Sequence, residues 1–250
     1  MDPWSSNADA SLWRGVPRPL PGELLISEVF GPTLQGEGPS SGQPAAFVRL
    51  GMCNLACAWC DTAYTWDSTR FDLSHELRPR STDDVANQVI AIGSRLVVVT
   101  GGEPALQSDG AASLAEVLRL AGRRIELETS GSVPLGALLT ACDLIVVSPK
   151  LANGRMDRRA RLRWDCLQQL AAEDHVVFKF VVQELAELAE VQEIVDHLAI
   201  TPGRVWIMPE ATSASGLLAA MQLLALPVVQ RGWALSSRLQ VLLWDGTRGR

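Results

Sequence analysis

The chain has 250 residues, of which 47% are hydrophobic and 20% charged, and its formal net charge is −6. This composition is typical of a globular protein that buries a sizeable core, and the acidic balance argues against a general nucleic-acid or anionic-membrane surface. No apolar run approaches the roughly 20 residues that span a bilayer, and the polar N-terminus lacks a signal-peptide pattern. We therefore expect a cytoplasmic protein with no nucleic-acid or membrane partner.

Short apolar segments alternate with segments of helical period after residue 21. We interpret residues 1–21 as a flexible extension and residues 22–250 as a single domain. Strands are predicted at 24–30, 45–50, 95–100, 124–129, 143–148, 176–182, 204–209 and 238–244. Helices are predicted near 82–92, 110–122, 133–141, 184–198 and 213–228, the first after an N-cap cluster at 81–84. The alternation predicts an α/β fold of mostly parallel strands, and because eight complete repeats are not visible we expect a partial (β/α) barrel.

Polar and glycine-rich segments follow many of the predicted strands. They are a cysteine loop after 45–50, GGEP at 101–104, SG at 130–131, SPK at 148–150 and MPEAT at 208–212. In parallel β/α folds, ligands bind at the carboxyl ends of the strands. These segments are therefore expected to meet in one ligand site.

Three of the five cysteines, Cys53, Cys57 and Cys60, have the spacing C-x3-C-x2-C. In a reducing compartment such a group indicates metal binding or catalysis rather than disulfides. A four-iron cluster normally takes four cysteines, so three thiols leave one iron open for a substrate or cofactor. A zinc site completed by a distant ligand is the alternative, with candidates Cys142, Cys166, His75, His175 and His197. We interpret Cys142 and Cys166 as small buried side chains.

The chain has twenty arginines and only two lysines, Lys150 and Lys179. Both lie at or within apolar strand-like segments, where a charge requires a partner. A functional role is favoured for Lys150, which lies at a strand end. For Lys179, a function and an incidental lysine in an arginine-biased chain are equally supported.

The three-cysteine motif, with Trp59 before its last cysteine and GGEP about forty residues later, resembles radical S-adenosylmethionine (SAM) enzymes. In that superfamily the open iron of a 4Fe-4S cluster binds the methionine part of the cofactor, and one electron cleaves it to a 5′-deoxyadenosyl radical. The resemblance implies a radical-SAM core and a cluster on the three cysteines. It also implies cofactor contacts from Trp59, Cys60, Asp61, Gly102, Glu103, Ser130, Ser148, Pro149, Lys150, Met208, Pro209, Glu210 and Ala211.

The motifs TLQGEG, FVRLGMCNLACAWCDT, ETSG, SPK, FKFV, MPE and LLWDGTRGR are similar, in content and order, to those of the 7-carboxy-7-deazaguanine synthase family over residues 24–250. This family converts 6-carboxy-5,6,7,8-tetrahydropterin to 7-carboxy-7-deazaguanine with loss of ammonia, a step toward 7-deazapurines such as the queuosine precursor. The resemblance implies a carbon–nitrogen lyase that uses Mg²⁺ and a reducing electron donor such as a flavodoxin or ferredoxin. It also implies a homodimer.

The same resemblance assigns Mg²⁺ to Thr62 and the carboxypterin to Leu34, Gln35, Gly36, Glu37, Arg49, Thr100 and the main chain of Arg250. Because one hydroxyl is a poor ligand for magnesium by itself, we expect metal and substrate to bind together. Gln35 and Glu37 can recognise a pterin edge, and the Arg49 guanidinium can pair with a carboxylate. No side chain is expected to act as an acid or base. The chain departs from the family at Gln240, where histidine is expected.

Other interpretations remain at this point. For Gln35 and Glu37 the alternative is a polar surface turn, for Arg49 a structural ion pair, and for Thr62 a helix N-cap or a loop residue. The whole chain is alternatively another radical SAM enzyme, such as a glycyl-radical activating enzyme that acts on a protein, or a non-catalytic zinc or iron–sulfur module.

Overall fold

A computed structural model describes residue 16 and residues 18–249. The strands are β1 Glu23–Leu34, β2 Pro44–Leu50, β3 Arg78–Ser81, β4 Leu96–Gly101, β5 Arg124–Thr129, β6 Leu144–Val147, β7 Val176–Val182, β8 Val205–Pro209 and β9 Ala234–Leu235. The α-helices are α1 Leu73–Glu76, α2 Thr82–Ile92, α3 Ser108–Leu120, α4 Leu138–Ala141, α5 Arg158–Arg161, α6 Trp164–Ala171, α7 Leu188–His197, α8 Ala214–Gln230 and α9 Leu239–Trp244. Across this part of the chain, no helix combines the length and apolar character needed to cross a membrane.

The strands form one mixed sheet in the order β3-β1-β2-β4-β5-β6-β7-β8-β9. β1 is antiparallel to both of its neighbours, and every pairing from β2–β4 to β8–β9 is parallel. β3 and β9 form the two edges, so the sheet does not close. The prediction of a partial barrel of mostly parallel strands is confirmed.

The central strands have one apolar face, which packs in the main core, while the opposite face also carries buried polar residues such as Glu126 and Lys179. Leu96–Val99 of β4 are buried without alternation, and so is most of β7. Helices α3 and α6 pack against this core through residues such as Leu114 and Leu167. The core therefore holds the carboxyl ends of the strands at one level, which positions the loops that follow them.

Most predicted elements are present, and β5 and β7 have the predicted bounds. The predicted N-cap of α2 is Ser81, whose side chain accepts a hydrogen bond from the Asp84 amide. The strand predicted at 238–244 is wrong, because α9 occupies this segment. A short apolar run fits either structure, and Asp245 and Gly246, both with positive φ, end it as a helix. Most of the predicted extension at 1–21 lies outside the described residues, and the domain boundary stays a prediction.

Candidate active site

An open cavity of about 230 Å³ lies at the carboxyl ends of the parallel strands. Its lining comes from residues within β1, β2 and β4–β8, from the loops that follow β2, β4, β5, β6 and β8, and from the segment after β1 and the start of α9. Four predicted site residues in the described part of the chain do not line this cavity: Glu103, Pro149, Pro209 and Ala211. Arg250 lies outside the described residues, and all the other predicted site residues line the cavity. The segments thus meet as expected, while the individual roles stay predictions.

The cysteine loop leaves β2 through Met52, which has a φ of 78°. The Met52 amide donates to the Thr65 carbonyl at 2.8 Å, and its carbonyl accepts from the Glu103 amide at 2.7 Å. Gly102 lies so close that a Cβ there would be 1.9 Å from the Met52 oxygen. The glycines of GGEP are therefore required for the close approach of β4 to the cysteine loop.

The thiols of Cys53, Cys57 and Cys60 all line the cavity and form no disulfide. Burial raises the pKa of the Cys53 and Cys57 thiols, so metal binding would displace their protons. Within residues 18–249, no three His, Cys, Asp or Glu side chains converge as ligands of a single ion. Three thiols spread over a cavity wall fit a 4Fe-4S cluster, in which separate irons take the thiolates.

Two of these sulfurs accept hydrogen bonds from N–H groups. The Leu55 amide donates to Cys53 Sγ at 3.4 Å. The indole Nε1–H of Trp66 donates to Cys60 Sγ, also at 3.4 Å. The sulfurs are therefore held in place by groups of the loop itself.

Thr62 precedes a 3₁₀ turn at Ala63–Thr65, but its side chain makes no capping hydrogen bond. The hydroxyl lies 3.7 Å from Cys60 Sγ. Thr62 lines the cavity, and its hydroxyl therefore stays the predicted protein ligand of a metal there. A hydroxyl oxygen fits the preference of Mg²⁺ for hard ligands, with the remaining ligands supplied by substrate or water.

Lys179 and Glu37 form the centre of a charge network in the cavity wall. Lys179 is only 5% exposed; its ammonium donates to Glu37 and lies 3.7 Å from Glu128 Oε1. Glu37 also accepts from Arg238 Nε at 3.3 Å and from Gln240 Nε2 at 2.7 Å. Burial would raise the pKa of Glu37, but Lys179 and Arg238 outweigh it and lower that pKa to about 2. Lys179 thus has the partner that its buried position requires.

Gln35 connects two carboxylates of β5. Its Nε2 donates to Glu126 at 2.9 Å and to Glu128 at 3.2 Å. Glu128 also accepts from the Thr100 hydroxyl at 2.8 Å, and it lines the cavity, whereas Glu126 lies fully buried behind it. Burial raises the pKa of Glu126. These contacts hold the Gln35 amide in place and position the Glu128 carboxylate at the cavity wall, where a ligand can contact it.

Arg49 faces Glu28 across the β1–β2 pair and donates to it through Nε at 3.0 Å. Glu28 is held as well by the Tyr64 hydroxyl at 2.9 Å and by Arg248 Nε. The two terminal nitrogens of Arg49 donate to no residue in the part of the chain that the structure describes. Because Arg49 lines the cavity, it combines the ion pair with guanidinium donors available to a ligand.

Glu103 is fully buried and does not line the cavity. Its carboxylate accepts from the Ala105 amide, the Thr129 hydroxyl and both the amide and hydroxyl of Ser130. These contacts tie β4 to β5, and a cofactor contact of Glu103 stays a prediction.

Several cavity-lining residues were not predicted as site residues. In the sequence, Lys179 is noted as a charge within an apolar strand and Gln240 as a departure from the family, but neither is predicted to line the site. Glu128 belongs to the ETSG motif. No sequence pattern points to Trp66 or Arg238. The full set is Phe30, Phe47, Leu55, Trp66, Gly101, Glu128, Thr129, Val146, Lys179, Val181, Arg238 and Gln240.

Comparisons with known proteins agree on one family. Residues 48–167 match the radical SAM superfamily. A 7-carboxy-7-deazaguanine synthase from Rhodopirellula baltica is 35% identical over 94% of this chain and 92% of its own, and one from Pyrobaculum aerophilum is 36% identical over 91% and 97%. The crystal structure of QueE from Escherichia coli matches with a TM-score of 0.67 and 28% identity, over 86% of this chain and 93% of that chain.

The prediction of a radical SAM enzyme is confirmed, and with it a 4Fe-4S cluster and S-adenosylmethionine as the cofactors. The relatives match along almost their whole length, so the likeness covers the cavity as well as the core. The chain belongs to the 7-carboxy-7-deazaguanine synthase family.

Proposed function

We propose that this protein converts 6-carboxy-5,6,7,8-tetrahydropterin to 7-carboxy-7-deazaguanine with loss of ammonia, in a reaction that depends on Mg²⁺. The observation that carries the proposal is the location of Arg49, whose terminal nitrogens are available, in the same cavity as the three thiols. An anionic ring substrate can therefore lie beside a radical-generating cofactor.

The polar wall of the cavity complements the two ends of such a substrate. The planar fork of Arg49 suits a carboxylate, which it can bind through two parallel hydrogen bonds. The Glu128 carboxylate, held by Thr100 and Gln35, accepts hydrogen bonds and suits the N–H groups of a pterin edge. These contacts orient the ring within the cavity.

Among the cofactor contacts that we propose, those on the loops after β2 and β6 are held by hydrogen bonds. Trp59 donates its indole N–H to Asn153 at 3.0 Å and has the Lys150 ammonium 5.4 Å from its ring, while Lys150 donates to Ser148. We assign this wall to S-adenosylmethionine. When bound, the cluster and this cofactor supply the one-electron chemistry that removes a hydrogen atom from the substrate, and the protein supplies orientation.

A one-electron reductant such as a flavodoxin or ferredoxin, a homodimeric assembly and a cytoplasmic location complete the proposal. Its support is the likeness to the family and the set of free, clustered thiols, which suits a reducing compartment. Sedimentation of the purified protein tests the dimer.

An anaerobic assay tests the proposed function. The protein is loaded with iron and sulfide and incubated with the carboxypterin, S-adenosylmethionine, dithionite and Mg²⁺. A product with the mass of 7-carboxy-7-deazaguanine is expected, with the cofactor recovered intact. Net consumption of the cofactor without that product would favour an activating enzyme, and failure to gain a cluster would favour a zinc module.

Arg49→Ala is expected to weaken carboxypterin binding by roughly 10- to 100-fold, because a hydrogen bond to a charged group contributes about 1.5–3 kcal/mol. Titration of the cluster-loaded protein with substrate measures the affinity. The matched control is Tyr64→Phe, which removes a different donor from Glu28 and lies outside the cavity lining. Equal losses in both variants would indicate that Arg49 acts only through its ion pair.

Thr62→Ala is expected to weaken the activation of turnover by Mg²⁺, because it removes the protein oxygen assigned to the metal. The half-saturating Mg²⁺ concentration, measured at fixed carboxypterin, should rise several-fold. Thr65→Ala is the control, since that hydroxyl donates to the Thr62 carbonyl and does not line the cavity. A metal titration that is unchanged in Thr62→Ala would remove Thr62 from the site.

A further inference from the structure

Trp66 makes a contact with the cysteine motif that the proposed function does not use. Its indole Nε1–H donates to Cys60 Sγ at 3.4 Å, and its ring lines the cavity. The other N–H donor to a motif sulfur in the described part of the chain is a backbone amide, that of Leu55. Trp66 therefore supplies a side-chain hydrogen bond to a cluster ligand.

The backbone around Trp66 fixes this contact. The turn Ala63–Thr65 ends with the Trp66 amide donating to the Ala63 carbonyl at 3.0 Å. The carbonyl of Thr65 accepts from the Met52 amide at 2.8 Å, which ties the turn to the end of β2. The indole is thus positioned by the same backbone that positions the cysteine loop.

A hydrogen bond to a cluster sulfur changes the energy of the two redox states unequally. Reduction adds one electron to the cluster and increases the negative charge on its thiolate ligands, so an N–H donor stabilises the reduced state more. Hydrogen bonds to the sulfurs are among the factors that set the reduction potential of iron–sulfur clusters. Removing the donor should therefore shift the potential to a more negative value.

We infer that Trp66 is a positioning residue that holds the Cys60 thiolate and raises the reduction potential of the cluster. The inference rests on the proposed function only in requiring the cluster. It adds a role for a residue outside the C-x3-C-x2-C motif, in making the cluster easier to reduce for the electron donor.

Trp59 provides a matched control in the same loop. It is also a tryptophan that lines the cavity, but its Nε1–H donates to Asn153 Oδ1 and not to a sulfur. Trp59→Phe and Trp66→Phe remove the same atoms from the same residue type, and only the second removes an N–H···S hydrogen bond.

The test measures the potential of the cluster in the absence of S-adenosylmethionine and substrate. Wild-type protein, Trp66→Phe and Trp59→Phe are reconstituted with iron and sulfide and titrated with dithionite, with the reduced cluster followed by electron paramagnetic resonance. We expect a negative shift in Trp66→Phe and the wild-type potential in Trp59→Phe. An unchanged potential in Trp66→Phe, or an equal shift in both variants, would overturn the inference.

A second measurement needs no change at Trp66. Trp59→Phe protein labelled with ¹⁵N at the indole nitrogens should show a ¹⁵N coupling to the reduced cluster in pulsed electron paramagnetic resonance. Absence of that coupling in a loaded sample overturns the inference even if Trp66→Phe fails to fold. A wild-type chain that takes up no cluster overturns the proposed function and the inference together, whereas a loaded cluster that is insensitive to Trp66 overturns the inference alone.

Discussion

Cys57→Ala is expected to abolish both cluster assembly and turnover. Cys57 is the middle thiol of the motif and lines the cavity with Cys53 and Cys60. Two thiols cannot hold the three irons that the protein must bind while leaving one open, because each iron needs its own thiolate. Iron and sulfide content, visible absorbance and product formation after anaerobic reconstitution measure the loss.

Cys166→Ala is the matched control for this experiment. Cys166 lies on α6, is 4% exposed and does not line the cavity. We expect its substitution to leave the iron content and the absorbance of the cluster at the wild-type level. Wild-type iron content and activity in Cys57→Ala would contradict the assignment of the motif to the cluster.

Lys179→Met is expected to lower the free energy of unfolding by about 3–5 kcal/mol, because breaking a buried ion pair leaves charge without compensation. Glu37 would keep Arg238, but Glu128 would lose the ammonium that lies 3.7 Å away. Denaturant unfolding at pH 7 measures the change. Lys150→Met is the control, since Lys150 donates only to the Ser148 hydroxyl among the described residues, and we expect it to cost little stability.

The same variant should change how stability depends on pH. In the wild-type protein the pKa of Glu37 is lowered from 4.5 to about 2, so its ion pair contributes stability above pH 4.5 that is lost as the pH falls toward 2. In Lys179→Met much of this contribution is absent, so the loss of stability between pH 5 and pH 3 should be smaller. A double variant with Glu128→Gln should recover part of the stability at pH 7, because it removes the carboxylate charge that loses the ammonium. Equal pH profiles for wild type and variant would contradict this account of the network.

Most strands and helices of this fold can be predicted from the sequence alone, because the sheet is mostly parallel. Strands buried on both faces require continuous apolar runs, such as the β7 sequence VVFKFVV, and these are visible without a structure. The loops after such strands must meet at one edge, so the cysteine loop and GGEP could be placed in one site. The element type of α9 was predicted wrongly, because a run of six residues fits a strand or a helix equally.

The charge network could not be predicted, because its contacts join distant parts of the chain. Lys179 is 142 residues from Glu37, and Arg238 is 201 residues from it. A lysine inside an apolar strand indicates that a partner exists, but no local pattern identifies that partner. The carboxylates of β5 did carry a signal, since residues two apart in a strand point to the same face. Glu126 and Glu128 in one buried strand therefore indicate a polar face of the sheet.

The contact between Met52 and Gly102 has a consequence for how the apoprotein acquires its cluster. The amide and the carbonyl of Met52 are both hydrogen-bonded, and Gly102 packs so closely on Met52 that a Cβ at position 102 would not fit. The base of the cysteine loop is therefore fixed when the sheet folds. The conformational entropy of this base is then lost during folding and not during cluster insertion. Preorganisation of this kind raises the affinity of a site by reducing what binding must order. Iron and sulfide would thus bind to a cysteine loop whose base is already fixed by the folded sheet.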